Sequence, residues 1–137
     1  MAVTHLADTS VLTRLGSPSV REILEPLFQV GAVGRTGMSD LEIGFSPRNG
    51  EEWDALTMAL EVMALIPITV EHFSRARQVQ RLLAAKGLRG RKIPGLLIAA
   101  AAEEKGLIVF HYDADFGHIA EVTGQIVEWI VPRGSLD

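Results

Sequence analysis

The chain has 137 residues, 47% hydrophobic and 22% charged, with a net charge of −4 and no cysteine. That suffices for one domain around a single core, and it excludes a disordered chain, a disulfide framework and a thiolate metal site. The longest strongly apolar stretch, Leu96–Ala102, is far short of the roughly 20 residues that span a membrane, and the N-terminus lacks the segments of a signal peptide, so a cytoplasmic protein with no membrane partner is expected.

In chain order, Val3–Ala7 reads as a strand followed by Asp8. Ser17-Pro18 has the form of an N-cap with Pro at the first helical position. Val20, Ile23, Leu24, Leu27 and Phe28 then recur at helical spacing, predicting a helix over Val20–Val33. A second helix is expected over Gly37–Phe45, ending near Ser46-Pro47. Asn49 caps a third over Glu51–Met63, with Glu51, Glu52 and Asp54 favourably placed in its first turn. Ile66–Val70 is a short strand or a link. His72–Ala85 reads as an amphipathic helix stopped by Gly87, and Leu88–Lys92 as a basic loop. An alanine-rich helix follows over Pro94–Lys105, with Gly106 as its stop. Leu107–Phe110 is a strand, Phe116–Val122 a short helix and Ile126–Val131 a final strand. No repeat and no linker divides the chain, so residues 1–137 are expected to form one domain.

Strands alternating with helices imply an α/β fold: a small parallel sheet with helices on both faces. Ligands of such sheets bind beyond the carboxyl ends of the strands. Asp8 and Asp113 each follow a strand, so a parallel sheet brings them to one edge despite their separation in sequence. Carboxylates gathered without cysteine or paired histidines suit a hard, oxygen-loving cation such as Mg²⁺, which keeps several waters and needs few protein ligands. Glu42 is a candidate because it interrupts the apolar run Leu41–Phe45. Asp40 lies roughly 200° away around that helix and points elsewhere. Asp113 and Asp115 flank Ala114 in the loop before Phe116. Thr9 and Ser10 could orient Asp8 or a water, or bond the backbone of the turn. Seven of the 13 Lys and Arg fall within positions 75–92, a stretch without Asp or Glu. From these, Arg89, Arg91 and Lys92 are the candidates for phosphate contacts, whereas Arg77 and Arg81 read as a solvated helix face. His111 and His118 read as structural, and Trp53, Phe73 and Trp129 as core or dimer-contact residues.

Taken together these segments resemble the PIN-domain ribonucleases, specifically VapC-type toxins of bacterial toxin–antitoxin pairs. The resemblance rests on Asp8-Thr9-Ser10-Val11-Leu12, Ser39-Asp40-Leu41-Glu42, Arg91 to Ala101, His111 to Phe116, and Ile119-Ala120. No single piece is diagnostic; their order and spacing carry the likeness along nearly the whole chain. It implies a three-layer PIN-like sandwich and hydrolysis of RNA phosphodiester bonds by a metal-activated water, with Mg²⁺ or Mn²⁺. Asp8, Glu42 and Asp113 match the metal-site acids of the family, with Asp115 as an accessory. The resemblance also implies a homodimer and an inhibitory VapB-like antitoxin.

One position departs from the pattern. Where the family reads Ile-Pro-Asp, this chain reads Ile93-Pro94-Gly95. Aspartate at a helix start interacts well with the helix dipole, and glycine is a poor helix former. Gly95 therefore reads as an inactivating substitution, whether made deliberately or carried by a naturally degenerate copy. Two functions follow: a metal-dependent ribonuclease weakened at Gly95, or a non-catalytic PIN-fold module that binds antitoxin or RNA. A phosphotransferase with an aspartyl nucleophile is disfavoured, because Ser10 stands where its second aspartate belongs.

Overall fold

A computed structural model describes residues 2–88 and 92–136. Arg89 and Arg91, two of the expected phosphate contacts, lie outside the described residues. The order of elements is β1 (His5–Ala7), α1 (Thr9–Leu12), α2 (Pro18–Gln29), β2 (Val33–Arg35), α3 (Gly37–Gly44), α4 (Gly50–Leu60), β3 (Ala64–Leu65), α5 (Val70–Ala85), α6 (Ile93–Lys105), β4 (Ile108–His111), α7 (Asp115–Thr123) and β5 (Val127–Trp129).

The strands form one parallel sheet in the order β3-β2-β1-β4-β5. The chain winds outward from β1 in one direction through β2 and β3, then returns to place β4 and β5 on the other side. The order thus reverses between β1 and β4. Loops leave that point in opposite directions and open a crevice at the carboxyl edge, where ligands of such sheets bind.

Alternation along the strands builds two cores. Leu6 and Val109 face a cluster with Leu83 of α5, Leu97 and Ile98 of α6, and Phe116 and Ile119 of α7. Ala7, Val33 and Phe110 face the opposite cluster, with Val11, Leu24, Ile43 and Leu60 from α1 to α4. This is the expected three-layer sandwich. Helix α6 is buried continuously from Leu96 to Ala102. Its alanines let it lie close between its neighbours, and Gly106 ends it in the left-handed conformation at φ 65°.

Several boundaries differ from the expectation. The helix expected over Val20–Val33 stops at Gln29, and Gly31 turns the chain at φ 69°. Val33–Arg35 is instead a strand between β1 and β3. Helical spacing in Val20–Phe28 had carried the expectation past its end, and a three-residue strand containing glycine has almost no periodic signal. Gly34 fits there because a Cβ would lie 2.8 Å from Ile66 Cγ1. Of the two expectations for Ile66–Val70, the link holds: the edge strand β3 is Ala64–Leu65, and α5 begins at Val70. Trp53 and Phe73 are about half exposed and are not core residues.

Candidate active site

Asp8 is the first residue beyond β1. Its N–H donates to Phe110 O of β4 (2.9 Å), which pins it to the neighbouring strand. Its side chain caps α1: Oδ2 accepts from Ser10 N (3.0 Å) and from Ser10 Oγ (2.5 Å). Ser10 Oγ in turn accepts from Tyr112 N (2.8 Å), just past β4. One hydroxyl therefore ties the end of β1 to the end of β4 and fixes a buried carboxylate between them. Thr9 points the other way. Its Oγ1 donates to Glu42 Oε1 (2.7 Å) and lies 2.8 Å from Ser39 Oγ. Glu42 comes from α3, which follows β2. Asp40 faces away and pairs with Arg35 at 2.8 Å, as the helix geometry required.

Asp113 closes the other side. Its Oδ1 accepts from Asp115 N (2.9 Å) and its Oδ2 from Lys92 Nζ (3.1 Å). Asp8, Glu42, Asp113 and Asp115 line one cleft of about 230 Å³, with Lys92, Arg14 and Gly95 among the other lining residues. The sheet thus brings acids from three neighbouring strand ends to one place. Of the expected phosphate contacts that are described, Lys92 reaches the cleft. Arg75, the first residue of the basic stretch, makes a two-bonded ion pair with Glu103 of α6 (2.7 and 3.0 Å).

The two central carboxylates are tuned in opposite directions. Burial pushes the Asp8 pKa up, and the charge of Asp113 adds to it, against the lowering effect of the Ser10 hydrogen bonds. Burial also acts to raise Asp113, but the Asp115 N–H and the Lys92 ammonium outweigh it and hold its pKa below the usual carboxylate range. Lys92 is raised by its bond to Asp113 and by the charges of Asp113, Asp115 and Asp8. A cation at this cleft is thus stabilised by several acids at once. His111 is buried, stacked on Phe116, and lowered to about 4 by burial. Its Nδ1 accepts from Asp113 N (3.3 Å), so it supports the loop as a neutral ring.

Gly95 is the third residue of α6 and lines the cleft. Its backbone does not need glycine, since it is absent from the positive-φ positions. A Cβ there would lie 3.5 Å from Phe116 Cζ, an ordinary contact. The position can therefore carry a side chain where it lines the cleft. Among the described residues, no three His, Asp or Glu side chains stand close enough to hold one ion between them.

A family model, the PIN domain, matches residues 6–122. This chain belongs to the PIN-domain family. Within the family it groups with VapC proteins. It is 58% identical over 137 residues to Ribonuclease VapC51 of Mycobacterium tuberculosis, covering all of both chains. It is 43% identical over 132 residues to Ribonuclease VapC18 of the same organism, covering 94% of this chain and 96% of that one. Solved PIN-domain folds align closely. A DNA-bound VapBC from Salmonella typhimurium superposes with a TM-score of 0.77 at 15% identity, over 94% of this chain and 99% of the other. VapBC-5 of M. tuberculosis, a member of the VapBC family of toxin–antitoxin systems, does so with a TM-score of 0.64 at 22% identity, over 96% and 98%.

Sequence reading found the four acids and Gly95 but missed Arg14 as a lining residue of the cleft. Arg14 lies in the turn after α1, and its guanidinium sits 4.7 Å from the centre of the Tyr112 ring, which is supplied by the distant segment after β4. No local pattern signals such a contact.

Proposed function

We propose that this chain is a metal-dependent endoribonuclease toxin, weakened at Gly95, which hydrolyses RNA phosphodiester bonds and is restrained by a VapB-like antitoxin. The observation that carries the reading is the meeting of Asp8, Glu42, Asp113 and Asp115 in one cleft at the point where the strand order reverses. The names of the relatives agree with it. The donor set fits a hard divalent ion, Mg²⁺ or Mn²⁺. It is all oxygen, and Asp8 and Asp113 already feel each other's charge. Such an ion keeps several waters, so two carboxylates can hold it, with Glu42 and Asp115 acting through water. When bound, it supplies an acidified water and offsets charge on a phosphoryl oxygen. Ser10 fixes Asp8, the Asp115 N–H fixes Asp113, and Lys92 stands where it can meet an entering phosphate.

The proposed partners are RNA, a VapB-like antitoxin and a second copy of the chain in a homodimer. Support for a protein partner comes from the names of the solved neighbours and from exposed apolar side chains on α3, just after it and on α4, with Leu41 at 75%, Phe45 at 91% and Met58 at 67% exposure. No helix among the described residues is long and apolar enough to cross a membrane.

The second reading, a PIN-fold module that binds without cutting, is favoured by Gly95 and by the lack, among the described residues, of three converging ligands. RNA cleavage by the native chain and by Gly95→Asp, in Mg²⁺ and in Mn²⁺, separates the two. The ribonuclease reading expects Gly95→Asp to raise the rate by about 100-fold or more, because positioned groups act as a unit. It expects Asp113→Asn to abolish that gain. Absence of cleavage by both proteins in either metal leaves the binding module.

A further inference from the structure

A second cleft, of about 390 Å³, continues from the acidic one and shares Ser10, Arg14, Lys92 and Asp113 with it. Beyond those shared residues it is lined by Tyr112, Trp129 and Arg133. Among the described residues that line it, Arg14, Lys92 and Arg133 are basic and Asp113 alone is acidic, in a chain whose net charge is −4. Each arginine lies over an aromatic ring. Arg14 is 4.7 Å from the centre of Tyr112, and Arg133 is 5.7 Å from the centre of Trp129. The two rings meet edge to face at 5.4 Å, so the arginine–aromatic pairs form one shelf. Arg133 is exposed and has no carboxylate partner among the described residues.

We infer that this shelf is the subsite for the RNA backbone next to the phosphate that is cut. The inference rests on the ribonuclease reading of the acidic cleft and adds to it the path of the strand. A polynucleotide with one phosphate at Asp8 and Asp113 must leave the acids, and the second cleft is the basic continuation of that site. A guanidinium presents a fork of donors that matches phosphate oxygens, and an aromatic ring beneath it holds the plane in place. Single-strand binders combine such a charged groove with aromatic surfaces. Arg133 follows β5 and brings its charge to the shelf from that strand's end.

The test is binding of a short fluorescein-labelled single-stranded RNA in EDTA, followed by anisotropy across a salt series. Arg133→Gln, Arg133→Lys and Arg81→Gln, which removes an exposed charge on α5, are compared with the native chain. Arg133→Gln is expected to weaken binding about tenfold and to flatten the slope of log affinity against log salt by about 0.7, the single-strand value for one phosphate contact. Arg133→Lys restores the slope, and Arg81→Gln changes neither quantity. Unchanged binding in Arg133→Gln, or an equal loss in Arg81→Gln, overturns the subsite and leaves the acidic site standing. If Arg133→Gln impairs binding of a protein but not of RNA, the shelf serves a polypeptide and the assignment falls. If the native chain and Gly95→Asp neither bind nor cut RNA, the ribonuclease reading falls and the subsite with it.

Discussion

Asp8 is where stability and proposed chemistry oppose each other. Its carboxyl is buried at 6% exposure, held by Ser10 and close enough to Asp113 to feel its charge. Burial raises its pKa above the ordinary 3.8. A group whose folded pKa is raised adds stability that is fully present below the unfolded pKa, and loses it as pH rises through the folded value. At neutral pH, without a cation, the ionised Asp8 therefore destabilises the fold. Asp8→Asn, which resembles the protonated acid, is expected to melt a few degrees higher than the native chain at pH 7 in EDTA. The difference should close as pH falls toward 3.8. Thermal melts at the two pH values check this, and a lower melting point for Asp8→Asn at pH 7 would count against it. The acids were legible in the sequence because an acidic residue directly after an apolar run is a local signal. Arg14 and Arg133 were not, because what singles them out is the ring beneath each, supplied by another part of the chain.

At the scale of elements, the site is a set of strand ends joined by side chains. Ser10 Oγ donates to Asp8 beyond β1 and accepts from Tyr112 N beyond β4. Ser10→Ala removes both bonds and is expected to cost about 1–3 kcal/mol, since it leaves partly buried polar groups without that hydroxyl. Urea denaturation measures the loss; a change near zero would show that the strand ends are held by backbone pairing alone. Which elements could be read from sequence follows the same logic. The long helices α5 and α6 carry enough periodic positions and clear glycine stops to be placed within a few residues. The short strand β2 and the four-residue α1 do not. Val33–Arg35 is a strand because β1 and β3 flank it, so tertiary pairing decided what local pattern could not. Missing β2 hid the reason Glu42 belongs to the site: α3 starts directly after that strand, at the same sheet edge.

Across the whole molecule, the reversal of strand order between β1 and β4 places the acids at the crevice of the sheet. The sequence reading reached one edge by assuming a parallel sheet, and the topology adds why that part of the edge is open. The chain is acidic overall, yet cations gather beside the acids, with Lys92 bonded to Asp113 and Arg14 and Arg133 lining the adjoining cleft. Opposite charges side by side suit a site that holds both a cation and a polyanion. Gly95 is the gap in that arrangement, with space for a Cβ and no need for glycine in the backbone. The central claim, that these acids form one divalent-ion site, is tested most directly by titrating Mn²⁺ and following free ion by electron paramagnetic resonance. The account predicts one ion per chain, binding lost in Asp113→Asn, and affinity raised roughly tenfold or more in Gly95→Asp, the scale on which groups around a metal act. Mn²⁺ binding that is indifferent to Asp113→Asn, or absent from both the native chain and Gly95→Asp, would contradict it.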